Sequence, residues 1–271
     1  MGLYWVFTAL LLALGPAANA TTRGLALLQV VAAVALTVYL HLCRRWRWGR
    51  WLYYLPWMPL VLWTYKNTAR VQQALALPMR DDLLQQIEIS QWGFLPALEW
   101  SQRMPVFWFS EFLHLCYFSY FLMVFPLLFH LERSGQSRRS HWVLGGGLLS
   151  LLATYSVNIF LPALGPRPLL PPLDDSLHGP CWQLVQGMVR EGAAAAAAFP
   201  SGHTSYSVAL LVLGVAWHRR AWPLYLVWAT GTLLATVYGR FHYVLDVGAG
   251  LTLGLLSAWL TLWQARRASS D

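Results

Sequence analysis

Phe199-Pro200-Ser201-Gly202-His203-Thr204 opens one long apolar run, and Arg240-Phe241-His242-Tyr243-Val244-Leu245-Asp246 opens another. Each puts ionisable side chains at the edge of an apolar segment, where a polar group is costly unless it has a partner or a task. Proline, serine and glycine ahead of an apolar run predict a helix start: proline tolerates a first turn, serine caps, and glycine lets the backbone come close to a ligand. Such a start exposes backbone N–H groups that favour an anion. Phosphate is the obvious candidate.

Working outward, apolar runs cover roughly residues 3–20, 25–42, 51–65, 106–129, 142–163, 203–217, 223–238 and 243–264. This reads as an all-α, polytopic transmembrane bundle with about eight membrane segments. The first run resembles a signal peptide ending at Ala18-Asn19-Ala20, but its start has no positive side chain and another apolar run follows at once, so it reads as a membrane helix. The third contains Pro56 and Pro59 and is short for a crossing, which predicts a kinked or re-entrant segment. Residues 66–104 carry Asp81, Asp82, Glu88 and Glu99 and read as an amphipathic surface segment or a short helical cap. Residues 165–199 begin as a proline-rich ordered loop, and the alanines at 193–198 favour helix.

The composition agrees: 57% of the 271 residues are hydrophobic and 11% charged, and mean hydropathy is +0.46. A soluble domain carries about 25% charge. The net charge of +8 comes from arginine, with Lys66 the single lysine, and the arginines sit in short blocks between apolar runs. That is a topology signal rather than the solvated basic face of a nucleic-acid binder, so no nucleic-acid partner is expected. Cys43, Cys116 and Cys181 lie far apart and form neither a disulfide framework nor a metal pattern. With the N-terminus inside, eight crossings put Arg44 to Arg50, Arg133 to Arg139, Arg219-Arg220, Arg266-Arg267 and the C-terminus on the cytoplasmic side of a cell membrane. Arg167, His203, Arg240 and His242 then share the extracytoplasmic or lumenal boundary.

His242 and Asp246 are four apart and share a helix face. A carboxylate accepting an imidazole N–H fixes the tautomer and leaves the other nitrogen free to attack an electrophile; the same spacing also serves a purely structural hydrogen bond. His203 after Pro-Ser-Gly adds the proton donor that a two-step displacement needs. Arg167 and Arg240 can bind phosphate oxygens through several directed donors, or can snorkel to headgroups as boundary arginines. Neither a metal nor another cofactor is expected. His41, His114, His130 and His218 read as packing or interface residues, and Gly145-Gly146-Gly147 as a close helix contact rather than a nucleotide loop.

Arg167-Pro168, Pro200-Ser201-Gly202-His203 and the pair His242 and Asp246 resemble, in order and setting, the three signatures of the membrane-bound type 2 phosphatidic acid phosphatase superfamily. The resemblance covers about residues 106–264, and implies an N-terminal region 1–105 of membrane and interfacial segments before a catalytic membrane domain 106–271. Phe160 and Thr236 stand where the common phosphatase form has basic residues, and Ser-Gly-His-Thr with Arg-Phe-His-Tyr is closer to the branch resembling inositol phosphorylceramide and sphingomyelin synthases. The resemblance implies a phospholipid donor, a hydroxyl-bearing lipid or polar acceptor, and metal-independent chemistry. His242 would be the nucleophile, Asp246 its orienter and His203 the acid and base, with Arg167, Arg240, Ser201 and Gly202 holding the phosphoryl group. A lipid phosphate phosphatase and a lipid transporter or flippase are the alternatives.

Overall fold

The computed structural model describes residues 1–43, 54, 56–192 and 196–269, with backbone alone at 191 and 192. The basic block Arg44 to Arg50, residues 51–53 and 55 of the third apolar run, and Ala193 to Ala195 lie outside the described residues. The described chain is helical, with a single isolated bridge between Ala163 and Ala197. It divides into two compact units, Met1–Pro78 and Met79–Asp271.

In the first unit, α1 (Gly2–Leu14) packs on α2 (Ala20–Cys43) and α3 (Trp57–Leu75). Gln29 is 1% exposed and accepts from Thr8 Oγ1 at 2.8 Å, whereas Leu27 on the same helix is 66% exposed. Trp5 Nε1 donates to Thr64 Oγ1 at 2.8 Å. Polar groups inside and apolar groups outside is the arrangement a lipid solvent favours. Helix α3 starts after Pro56 and runs past the expected end at residue 65, because Pro59 falls in its first turn, where a missing N–H costs nothing.

The second unit contains α4 (Asp81–Trp92), α5 (Pro96–Arg103), α6 (Phe107–Ser119), a 3-10 turn (Tyr120–Met123), α7 (Val124–Arg133), α8 (Ser137–Phe160), α9 (Pro180–Gly192), α10 (Gly202–Trp217), α11 (Trp222–Tyr238) and α12 (Val244–Arg267). The 3-10 turn follows from Pro126, which lacks the N–H that the Leu122 carbonyl would receive in an α-helix. Helix α10 is central: it packs on α8, α11 and α12 and buries Val208, Ala209, Leu210 and Leu213.

Among the described residues, four stretches are long and apolar enough to cross a membrane: α2, the continuous Phe107–Arg133, α8 and α12. These, with their lipid-compatible surfaces, describe a membrane protein. The count of about eight segments is not supported. Helix α1 has 13 residues, α10 has 16 and α11 has 17; at about 1.5 Å per residue they fall short of a hydrocarbon core about 30 Å thick. Helix α3 is long enough, but its inner face carries Thr64, Asn67, Thr68 and Gln72.

The surface-segment reading of residues 66–104 is also revised for part of that stretch. Helix α4 buries Asp81 and Glu88, at 5% and 0% exposure, and α5 buries Ser101. Leu84 packs in one cluster with Ala163, Ala198 and Tyr243.

Candidate active site

The C-terminal ends of α8 and α11 and the N-terminal ends of α10 and α12 meet at one end of the second unit, and His203, His242, Asp246, Ser201, Gly202 and Arg240 lie there. Helix α10 begins as expected: Ser201 is extended at its N-cap, and its Oγ accepts from the Thr204 N–H at 3.3 Å and from Thr204 Oγ1 at 3.1 Å. The N–H groups of Gly202 and His203 have no acceptor within the helix, and the positive end of the helix dipole favours an anion there. Asn158 of α8 holds the preceding segment by donating from Nδ2 to the Phe199 carbonyl at 2.6 Å and the Pro200 carbonyl at 3.2 Å.

Helix α12 comes close enough to join this N-terminus directly. The Ser201 N–H donates to the Asp246 carbonyl at 3.0 Å. Glycine makes the approach possible: a Cβ on Gly250 would lie 2.5 Å from the Ser201 carbonyl oxygen, and one on Gly254 2.5 Å from that of Ser205. The result is a line of three side chains. Asp246 Oδ2 lies 3.2 Å from His242 Nδ1, and His242 Nε2 lies 3.4 Å from His203 Nδ1. Oδ2 also accepts from the Tyr243 N–H at 2.9 Å, which fixes the carboxylate. A carboxylate only accepts, so His242 carries its proton on Nδ1 and keeps a lone pair on Nε2.

Aromatic rings wall the other side. Tyr117 stacks on His203 at 4.3 Å and on Phe241 at 4.3 Å, and Tyr120 lies 4.4 Å from His203. His242 is 5% exposed and Asp246 is fully buried.

The arginines differ from one another. Arg240 adopts a left-handed backbone with φ +61°. Its guanidinium is buried and donates to Ser101 Oγ at 3.0 Å from Nη2 and 3.3 Å from Nε, and from Nη1 to the Pro172 carbonyl at 2.9 Å and the Pro171 carbonyl. It ties α5 and the proline loop to the turn before His242. Arg167 is half-buried beside the site. Burial holds its guanidinium below its ordinary value, Tyr117 opposes that, and Arg190 of α9 adds to it. Arg190 was not singled out from the sequence, nor were Tyr117, Tyr120 and Asn158. Phe160, at the end of α8, is 46% exposed, and Thr236 is buried with its carbonyl accepting the Phe241 and His242 N–H groups at 2.9 Å each. Neither position supplies a cation.

Residues 142–270 match the PAP2 superfamily model. The PAP2 match takes in Arg167, Ser201, Gly202, His203, Arg240, His242 and Asp246, and leaves α4, Tyr117 and Tyr120 outside it. A curated relative, the bacitracin transport permease protein BcrC of Bacillus licheniformis, is 37% identical over 71 residues, or 26% of this chain. The chain spans about a third of that relative's length, 35%. No solved structure matches.

Proposed function

We propose that the chain moves a phospho-headgroup from a membrane phospholipid to a hydroxyl acceptor, in the manner of the inositol phosphorylceramide synthase branch. The observation that carries this reading is the line Asp246, His242, His203 set against the free N–H groups at the start of α10. A phosphoryl group approaches His242 Nε2 with its leaving oxygen on the side of His203. His242 Nε2 forms a bond to phosphorus as the phosphorus bond to the leaving oxygen breaks, and His203 Nδ1–H gives that oxygen its proton. The His242 ring, now cationic, is held by Asp246. In the second half the acceptor hydroxyl passes its proton to His203, its oxygen bonds to phosphorus, and the nitrogen–phosphorus bond breaks. Arg167 and the N–H groups of Gly202 and His203 bind the equatorial oxygens. Ser201 caps α10, and Arg240 orders the adjoining loop.

Transfer rather than hydrolysis is favoured by the burial of His242 and by the Tyr117 and Tyr120 wall, which restrict water. With water as acceptor the same steps make a lipid phosphatase. A second reading, transport, draws on the bacitracin transport permease relative. Purified protein in lipid vesicles, given phosphorus-labelled phospholipids with and without ceramide, diacylglycerol or inositol, separates them by product mass. A headgroup-bearing acceptor product absent from His242→Ala supports transfer, and released phosphate alone supports hydrolysis. Lipid movement without conversion, surviving His242→Ala, supports transport and overturns the enzyme reading.

A further inference from the structure

Helix α4 lies outside the family match, yet its carboxylates hold both backbone segments that carry the site. Asp81 accepts the Leu164 N–H on Oδ2 and the Gly165 N–H on Oδ1, each at 2.9 Å, which fixes the turn leading into Arg167. Two turns further on, Glu88 Oε1 accepts the Leu245 N–H at 3.0 Å, inside the first turn of α12 and beside Asp246. Between them Gln85 Nε2 donates to the Tyr243 hydroxyl at 2.9 Å, and that hydroxyl lies 3.4 Å from Asp81 Oδ1. Residues 81, 85 and 88 share one helix face. All these groups lie within the second unit.

An ion pair between surface side chains would explain none of this. Both carboxylates are buried, Glu88 completely, and both accept from backbone N–H groups rather than from arginines. A carboxylate facing helix N–H groups is favourable, and burial makes its loss costly, so each residue dictates where its segment sits. Glu88 Oε2 has no hydrogen-bond partner among the described residues.

We propose that α4 is a positioning clamp for the reaction above: Asp81 sets the Arg167 loop for phosphate binding, and Glu88 sets the start of α12 for the step at His242. Neither residue touches substrate. The clamp rests on the proposed phosphohistidine chemistry, and it predicts a division of kinetic effects that a generally structural role would not give. The test compares Asp81→Ala, Glu88→Ala and Glu88→Gln in the full-length protein in vesicles, beside His242→Ala, by turnover and by amide hydrogen exchange.

Asp81→Ala is expected to raise KM about tenfold with kcat within about threefold, and Glu88→Ala to lower kcat about tenfold with KM little changed. Glu88→Gln keeps an acceptor oxygen and should recover most of the loss. Exchange should accelerate at 164–165 in the first variant and at 244–246 in the second. Equal losses of kcat and KM in both variants, exchange accelerated throughout the second unit, or wild-type behaviour in both would overturn the clamp. Full activity in His242→Ala would remove the chemical reading instead, while the exchange pattern would still decide whether α4 holds these two segments.

Discussion

The close approach of α10 and α12 is the feature on which the paired histidines depend, and Gly250→Ala attacks it with a single methyl group. The added Cβ would lie 2.5 Å from the Ser201 carbonyl oxygen and 3.0 Å from Thr204 Cβ. That oxygen already accepts the Ser205 N–H at 3.0 Å in the first turn of α10, so it cannot rotate away. The helices must part by at least about 0.5 Å to reach the shortest contact real Cβ atoms make. The 3.0 Å bond from the Ser201 N–H to the Asp246 carbonyl stretches, and the 3.4 Å contact between His242 and His203 opens with it. A misplacement of about 1 Å costs up to a hundredfold in rate, so a kcat loss of about tenfold is expected. Overpacking should also cost about 1–3 kcal/mol of stability. Gly248→Ala is the matched control, because nothing lies within 4 Å of its added Cβ; it should gain a little helix propensity and leave turnover unchanged. Turnover of labelled phospholipid in vesicles, with thermal unfolding measured alongside, checks both. Equal turnover in the two variants would refute the claim that helix approach sets the site.

Asp246→Asn should lower kcat by roughly a hundredfold or more, because the amide no longer fixes His242 with its proton on Nδ1; initial rates at saturating lipid measure it. Arg167→Ala should raise KM about tenfold with a smaller effect on kcat, and the rise should shrink at high salt; lipid titrations at two ionic strengths check it. Tyr117→Leu removes the ring stacked on His203 and should depress kcat about tenfold and shift its pH profile, whereas Tyr117→Phe keeps the ring and should retain most of the rate. Burial, the largest influence, raises Glu88 above its ordinary value of 4.5, against the backbone N–H groups of Leu245 and Val244 that lower it. The native state therefore binds the extra proton, so this contribution to stability is full below the ordinary value and is lost as pH rises through the folded one. Melting temperatures from mild acid to neutral should fall across that window in the wild type, and the fall should be shallower in Glu88→Gln.

Helix positions were legible because long apolar runs, prolines and the Ser201 cap leave local marks; the runs at 203–217 and 223–238 nearly coincide with α10 and α11. Their adequacy as crossings was not legible from apolarity alone, since the helices stop at His218 and Gly239. The pairing of His203 with His242 was expected from two motifs at one membrane depth. The roles of Asp81 and Glu88 depend on backbone groups of Leu164, Gly165 and Leu245, which no side-chain motif announces. A signal existed all the same: two carboxylates seven apart in an apolar chain share a helix face. Arg240 looked like a phosphate ligand by its place beside His242, and only the folded loop brings Ser101 and the Pro171 and Pro172 carbonyls to its guanidinium.

The most direct test of the central claim is to trap the covalent intermediate. Protein in vesicles is mixed with phosphorus-labelled phospholipid, quenched under alkaline conditions that preserve a control phosphohistidine, and mapped by peptide mass. The account predicts label on His242, formed at least as fast as turnover, discharged by a hydroxyl acceptor and absent from His242→Ala. Turnover without label on His242, or undiminished turnover in His242→Ala, would contradict it.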